Sequence, residues 1–181
     1  MSTIDEPKVK LTYNEYVLFP SDGMRHEIIN GLHFMNPAPS PRHQAISLKI
    51  TVQLYQQIQA KGRGKVLTAP IDLQLSETDV VQPDILVVAD GNDIVTDTRI
   101  QGVPDLIVEV LSPSNRKYDQ ELKKRLYEQH RVPEYWIVDP TAKSVEKNVL
   151  NVGVYVAENH DIRVRCSSIT ADVDLTAVWA H

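Results

Sequence analysis

A glutamate inside an otherwise apolar run sets the strongest constraint on this 181-residue chain. Asp105-Leu-Ile-Val-Glu-Val-Leu-Ser-Pro-Ser-Asn115 leads into a basic segment, Arg116 to His130, and then into Glu134-Tyr-Trp-Ile-Val-Asp-Pro140. The pattern predicts a buried strand, a turn, a helix and a second buried strand. Leu106, Ile107, Val108, Val110 and Leu111 are apolar at both parities of a period-2 element, so the strand is covered on both faces. Glu109 therefore needs compensation, because an isolated carboxylate in such a place is strongly disfavoured.

Two kinds of compensation are open at this stage, a cation shared with a second carboxylate or an ion pair with a nearby lysine or arginine. The second carboxylate is Asp84, at the start of the apolar run Pro83-Asp-Ile-Leu-Val-Val-Ala89. Two neighbouring strands would bring Asp84 and Glu109 to one point. The lysine is Lys123 or Lys124. With Tyr118, Leu122 and Leu126 marking the buried stripe at roughly 100° per residue, Lys123 lies about 60–70° from the stripe centre and Lys124 about 165°. Lys123 thus borders the core, and Lys124 faces water.

These residues carry a resemblance. The strings His26-Glu-Ile-Ile-Asn-Gly31, Pro37-Ala-Pro-Ser-Pro-Arg-His43, Pro83-Asp84, Leu106-Ile-Val-Glu-Val-Leu-Ser-Pro-Ser114 and Val132-Pro-Glu-Tyr-Trp-Ile-Val-Asp-Pro140, with Asp119, Lys123 and Tyr127 spaced four apart, resemble the Uma family of restriction endonucleases. That family falls within the PD-(D/E)XK nuclease superfamily. The resemblance covers most of the chain and is carried chiefly by the strings around Glu109 and Trp136. It implies an α/β (α+β) restriction endonuclease-like fold, a central mixed sheet flanked by helices, with an additional antiparallel C-terminal β segment. It further implies a Mg²⁺-dependent DNA endonuclease, with Mn²⁺ as a substitute ion. Asp84, Glu109 and Lys123 take the catalytic roles, Glu27 and His43 support them, and Asp84, Glu109 and Val110 hold the metal. In the wider superfamily the lysine stands two residues after the acid on the same strand, but that position here is Leu111. The role passes to Lys123.

Length and an ordinary globular composition predict one domain over residues 1–181. A lone Cys166, no charged-then-apolar leader and no apolar run of membrane-spanning length point to a cytoplasmic protein that does not enter membranes. A net charge of −5 argues against a protein that coats nucleic acid indiscriminately. Residues 116–131 nevertheless carry a local surplus of three positive charges, which on spacing alone reads more readily as a solvated helix face than as a binding surface.

Along the chain, the first ten residues read as loose. Thr12-Tyr-Asn-Glu15 has capping-box spacing for a helix from Tyr13 to about Leu18. Glu27 to Met35 reads as a hairpin turning at Asn30-Gly31, and Ser40-Pro41 starts a helix that runs to about Lys61, with Ile46, Ile50, Leu54 and Ile58 buried. Strands follow at Val66–Ala69, Ile71–Leu75 and Asp84–Ala89. Asp72, Glu77 and Asp79 are expected at solvated turns and strand ends, and Asp90 to Gly102 as an exposed flap. Strands at Val145–Leu150, Val154–Ala157 and Ile162–Cys166 close the chain. Trp136 and Trp179 are expected as core or interface anchors. Trp179 together with open sheet edges suggests a homodimer. Mutual repulsion of the acids predicts that Asp84→Asn raises the metal-free melting temperature. The rival to the nuclease reading is a non-catalytic nucleic-acid-binding or interaction module that keeps the same fold.

Overall fold

The computed structural model describes residues 9–112 and 116–180, and of residues 116–119 the backbone alone. The expected loose start and the turn at 113–115 lie outside the described residues, as do the side chains of Tyr118 and Asp119.

The chain begins with the short helix α1 (Tyr13–Tyr16) and the hairpin β1 (Arg25–Ile29) and β2 (Leu32–Asn36). Asn30 and Gly31 turn this hairpin with φ of 52° and 76°, the paired left-handed conformation of a tight two-residue loop. A side chain at Gly31 would also collide with Lys10. Next comes α2 (Pro41–Gln57), whose N-cap Ser40 accepts from the His43 amide and whose proline occupies the first turn. A 3₁₀ turn, Gln59–Lys61, continues it to Gly62, in the left-handed conformation.

The strands that follow are β3 (Gly64–Thr68), β4 (Leu73–Ser76), β5 (Asp79–Val81), β6 (Ile85–Ala89), β7 (Ile100–Gln101) and β8 (Leu106–Val110). Helix α3 (Arg116–Gln129) crosses to β9 (Glu134–Asp139). The chain finishes with β10 (Ser144–Asn151), β11 (Val154–His160), β12 (Arg163–Cys166), β13 (Ala171–Asp174) and α4 (Leu175–Trp179). The large sheet has the order β11-β10-β9-β8-β6-β3 and is mixed, since β8 and β9 run parallel and the other pairs antiparallel. A smaller sheet, β2-β1-β5-β4-β7, stands beside it, and β12 pairs with β13.

Both faces of the large sheet are covered, as the apolar run of β8 requires. Leu106, Val108 and Val110 pack with Ile46, Ile50 and Leu54 of α2 and with its C-cap Ile58, while Ile107 joins Leu126 and Tyr127 of α3 and Leu73, Val81 and Ile100 of the smaller sheet. Glu109 shares the second face by alternation. The fold is the expected α+β arrangement, a central mixed sheet flanked by helices with an antiparallel C-terminal strand pair.

Four expectations change. The segment Asp90 to Gly102 is no free flap, because Ile100 is fully buried where β7 joins β4, and Ile94 and Val95 pack on the same core. Its apolar anchors are too widely spaced among polar residues to show a period. Asp79 is buried rather than solvated, accepting from the Asn30 amide and Ser76 and pairing with His130. β5, β13 and α4, each five residues or fewer, were not anticipated, and Ile162 precedes its strand instead of opening it. Trp179 packs against the core of its own chain, which removes it as the free apolar surface on which the homodimer expectation relied. Among the described residues, no helix is long and apolar enough to cross a membrane.

Candidate active site

The register of β6 against β8 pairs Ile85 with Val108, and one further step sets Asp84 opposite Glu109. The two carboxylates therefore stand side by side on adjacent antiparallel strands. Glu27 on β1, His43 in the first turn of α2, Val110, and Lys123 on α3 complete the wall of one cavity of about 230 Å³. All six residues named from the sequence converge there. Val110, being apolar, can offer an ion only its backbone carbonyl.

Lys123 Nζ lies 2.8 Å from Glu109 Oε1 and 2.9 Å from Glu27 Oε1. Its side chain is 13% exposed, whereas Lys124, 33% exposed, pairs with Glu146 on the outer surface. The helix geometry that separated the two lysines is thus realised. Glu27 is held from two further sides, by the Gln82 amide and by Asn36 Nδ2. Tyr127, one turn after Lys123, donates to Glu109 Oε1 at 2.9 Å. Both donors to Glu109 use the same oxygen, and among the described residues none is directed at Oε2.

Asp84 has a different environment. Its Oδ1 accepts from Arg25 at 3.0 Å, and its Oδ2 accepts from the Val110 amide and meets His43 Nε2 at 2.9 Å. Burial disfavours its charge, but His43, Arg25 and the Val110 amide outweigh that cost and hold the carboxyl below its ordinary range. Burial likewise works against a cationic His43, yet Asp84 pulls its pKa up. Glu109 is pushed the other way, by burial first, with the charges of Asp84 and Glu27 adding to it against the attraction of Lys123. Lys123, despite burial, is raised by Glu109 and Glu27, so it stays an ammonium at neutral pH. Paired acids with divergent ionisation beside a fixed cation are a usual mark of a working site.

These environments reverse the expectation for Asp84→Asn. The ionised form of Asp84 is favoured by the fold, so its contribution is complete above the ordinary carboxylate range and is lost as pH falls through its depressed value. Asp84→Asn is therefore expected to lower the metal-free melting temperature, by about 3 kcal/mol of stability at neutral pH, the scale for breaking a buried pair. Glu109→Gln has the opposite sign, because ionisation of Glu109 costs stability as pH rises from its ordinary value through its raised one. Melting curves across the acid range up to pH 8 check both: on acidification the Glu109 difference should fade first, between its raised and its ordinary value, and the Asp84 difference only below the ordinary carboxylate range.

Four contributors escaped the sequence reading. Arg25 and Gln82 carried no local signal, and Asn36 lies at the end of a strand where polar residues are unremarkable. Tyr127 was visible as a motif member four residues from Lys123, the spacing that stacks two side chains on one helix face, but it received no role.

An uncharacterised protein of Synechocystis sp. is 27% identical to this chain over 143 residues, covering 77% of this chain and 74% of its own. The crystal structure of a protein from Anabaena variabilis, titled a "putative nuclease", superposes with a TM-score of 0.79 at 17% identity, covering 93% of this chain and 97% of that one; at that identity the likeness speaks for the fold. Residues 13–171 match the Uma2 family, described as "Putative restriction endonuclease", and the chain belongs to that family.

Proposed function

We propose that the protein is a Mg²⁺-dependent DNA endonuclease that hydrolyses phosphodiester bonds at the Asp84–Glu109–Lys123 cluster. The observation that carries this reading is the juxtaposition of two carboxylates on adjacent strands with a buried ammonium bonded to one of them. Restriction endonuclease-like nucleases generally use divalent metals, and the donor set here suits a hard cation. Asp84 and Glu109 are carboxylates, Val110 has a carbonyl, and the pKa of Glu109 is raised by burial first, with the negative charges of Asp84 and Glu27 adding to it. Among the described residues no three acid, histidine or cysteine side chains converge as a ligand cage. Mg²⁺ keeps several waters and takes one or two carboxylates together with substrate phosphate, and Asp84 and Glu109 offer such a pair. Mn²⁺ fits the same oxygens.

Asp84, Glu109 and the Val110 carbonyl would hold the ion, which when bound supplies Lewis-acid polarisation of the phosphate and acidification of water. Lys123 remains protonated, so it orients the nucleophile or neutralises charge developing on the phosphate and does not act as a base. Glu27 positions Lys123 from the far side, Tyr127 fixes one oxygen of Glu109, and Arg25 with His43 aims Asp84.

A homodimer would cut both strands with two such centres; the apolar exposed Val154 and Val156 on the edge strand β11 support a twofold contact there. A buried free Cys166 is in keeping with the reducing cytoplasm.

One observation favours the rival, a binding module without catalysis: Lys123, Arg25 and His43 already pair with the acids. Incubation with supercoiled, linear and single-stranded DNA and with RNA, in Mg²⁺ and in chelator, separates the two. Cleavage of DNA that chelator abolishes is the expected result, and intact substrates throughout would leave the binding module.

A further inference from the structure

A second cavity, of about 480 Å³, adjoins the first. Arg25, His43 and Asp84 line both, so one set of side chains forms the partition between them. The chemistry on the two sides differs. The first cavity holds the charged cluster, whereas apart from the partition the second is uncharged. Gln44, Thr51, Thr68 and Gln82 give it amides and hydroxyls, and Leu48 and Pro70 give it apolar surface. Its size falls within the roughly 300–1,000 Å³ of small-ligand pockets.

Three buried side-chain atoms without a hydrogen-bond partner belong to residues of this cavity: Arg25 Nε, His43 Nδ1 and Gln82 Oε1. His43 is only 6% exposed. Native proteins rarely leave such atoms unmatched without a functional reason. Together they are a donor, a group that can donate or accept, and an acceptor. A second phosphate would lack free cations here, since the charge of Arg25 is already opposed by Asp84. A purely apolar ligand would leave the Gln44 amide and the Thr68 hydroxyl facing it unmatched. A nucleobase meets every condition, being neutral, apolar on its faces and edged with donors and acceptors.

We propose that this cavity receives one nucleobase of the substrate, unstacked from its strand, while that nucleotide's phosphate lies at Asp84 and Glu109. The inference rests on the nuclease reading and adds to it a pocket that selects the base beside the cut. Arg25 and His43 then serve twice, holding Asp84 and walling the base pocket off from the charged cavity.

The four deoxynucleoside 5′-monophosphates are the probe, titrated into the full-length protein in the presence of Mg²⁺ and followed by NMR. Saturable shifts at Gln44, Thr51 and Gln82 are expected with at least one of the four, and none with inorganic phosphate alone. Thr51→Phe, which fills the cavity without touching either acid, should weaken that binding by at least about tenfold. Gln44→Ala, at an exposed position on α2, should weaken it in a protein whose melting is unchanged, so misfolding of the bulkier variant decides nothing. No shift with any nucleotide, or shifts equal in wild type and both variants, would overturn the pocket. DNA cleavage is scored separately. A protein that cuts DNA but binds no nucleotide here loses the base pocket alone, whereas one that binds a nucleotide here and cuts nothing loses the nuclease reading.

Discussion

Glu109→Gln is expected to remove DNA cleavage, by at least about 10³-fold in single-turnover rate, while leaving the protein folded. The substitution keeps the oxygen that accepts from Lys123 and Tyr127 and removes only the charge, which on the proposed reading helps hold the metal. Because the buried Glu109 pays for its ionisation in the folded state, the same change should raise the metal-free melting temperature at neutral pH. Lost activity with gained stability is a combination that general damage does not produce. Activity within a few-fold of wild type would remove Glu109 from the chemistry.

Lys123→Ala should have the second largest effect, and on two observables at once. It leaves Glu27 and Glu109, which are 2% and 12% exposed, without their shared cation. Stability should fall by about 3–5 kcal/mol, the range for removing one partner of a buried pair. Cleavage should slow by about 10²-fold or more through loss of a transition-state donor, whereas metal affinity should hold or rise because a positive charge has left the cavity. Lys124→Ala is the internal control. Its pair with Glu146 is partly solvated, so stability should change by less than about 1 kcal/mol and cleavage not at all. Comparable losses in both lysine variants would show that helix α3 is merely being weakened.

The large sheet and α2 were legible because their signals are local and dense. The unbroken apolar run of β8, the Ser40-Pro41 start and the Ile46-Ile50-Leu54-Ile58 row each point to one conformation, and the structure realises all three. The choice of Lys123 over Lys124 was legible for the same reason, since a helical period fixes which side chain meets the core. The smaller sheet was not, because β5 and β7 are two or three residues long, and β5 needs β1 beside its hairpin partner β4 while β7 needs the distant β4. Arg25 belongs to the same class, lying 59 residues from Asp84. The sign expected for Asp84→Asn from the fold differs from the one that repulsion between acids predicts, because the donors that only the fold brings up, His43, Arg25 and the Val110 amide, carry no sequence signal.

Calorimetric titration of Mg²⁺, with Mn²⁺ in parallel, into wild-type protein and into Asp84→Asn and Glu109→Gln addresses the metal site without reference to a target sequence. A saturable site in the wild type that is lost in both variants is predicted, since each removes one of two carboxylates that face each other across β6 and β8. Wild-type protein that takes up neither ion, or variants that bind as the wild type does, would contradict the account and leave Glu109 and Lys123 as a structural ion pair.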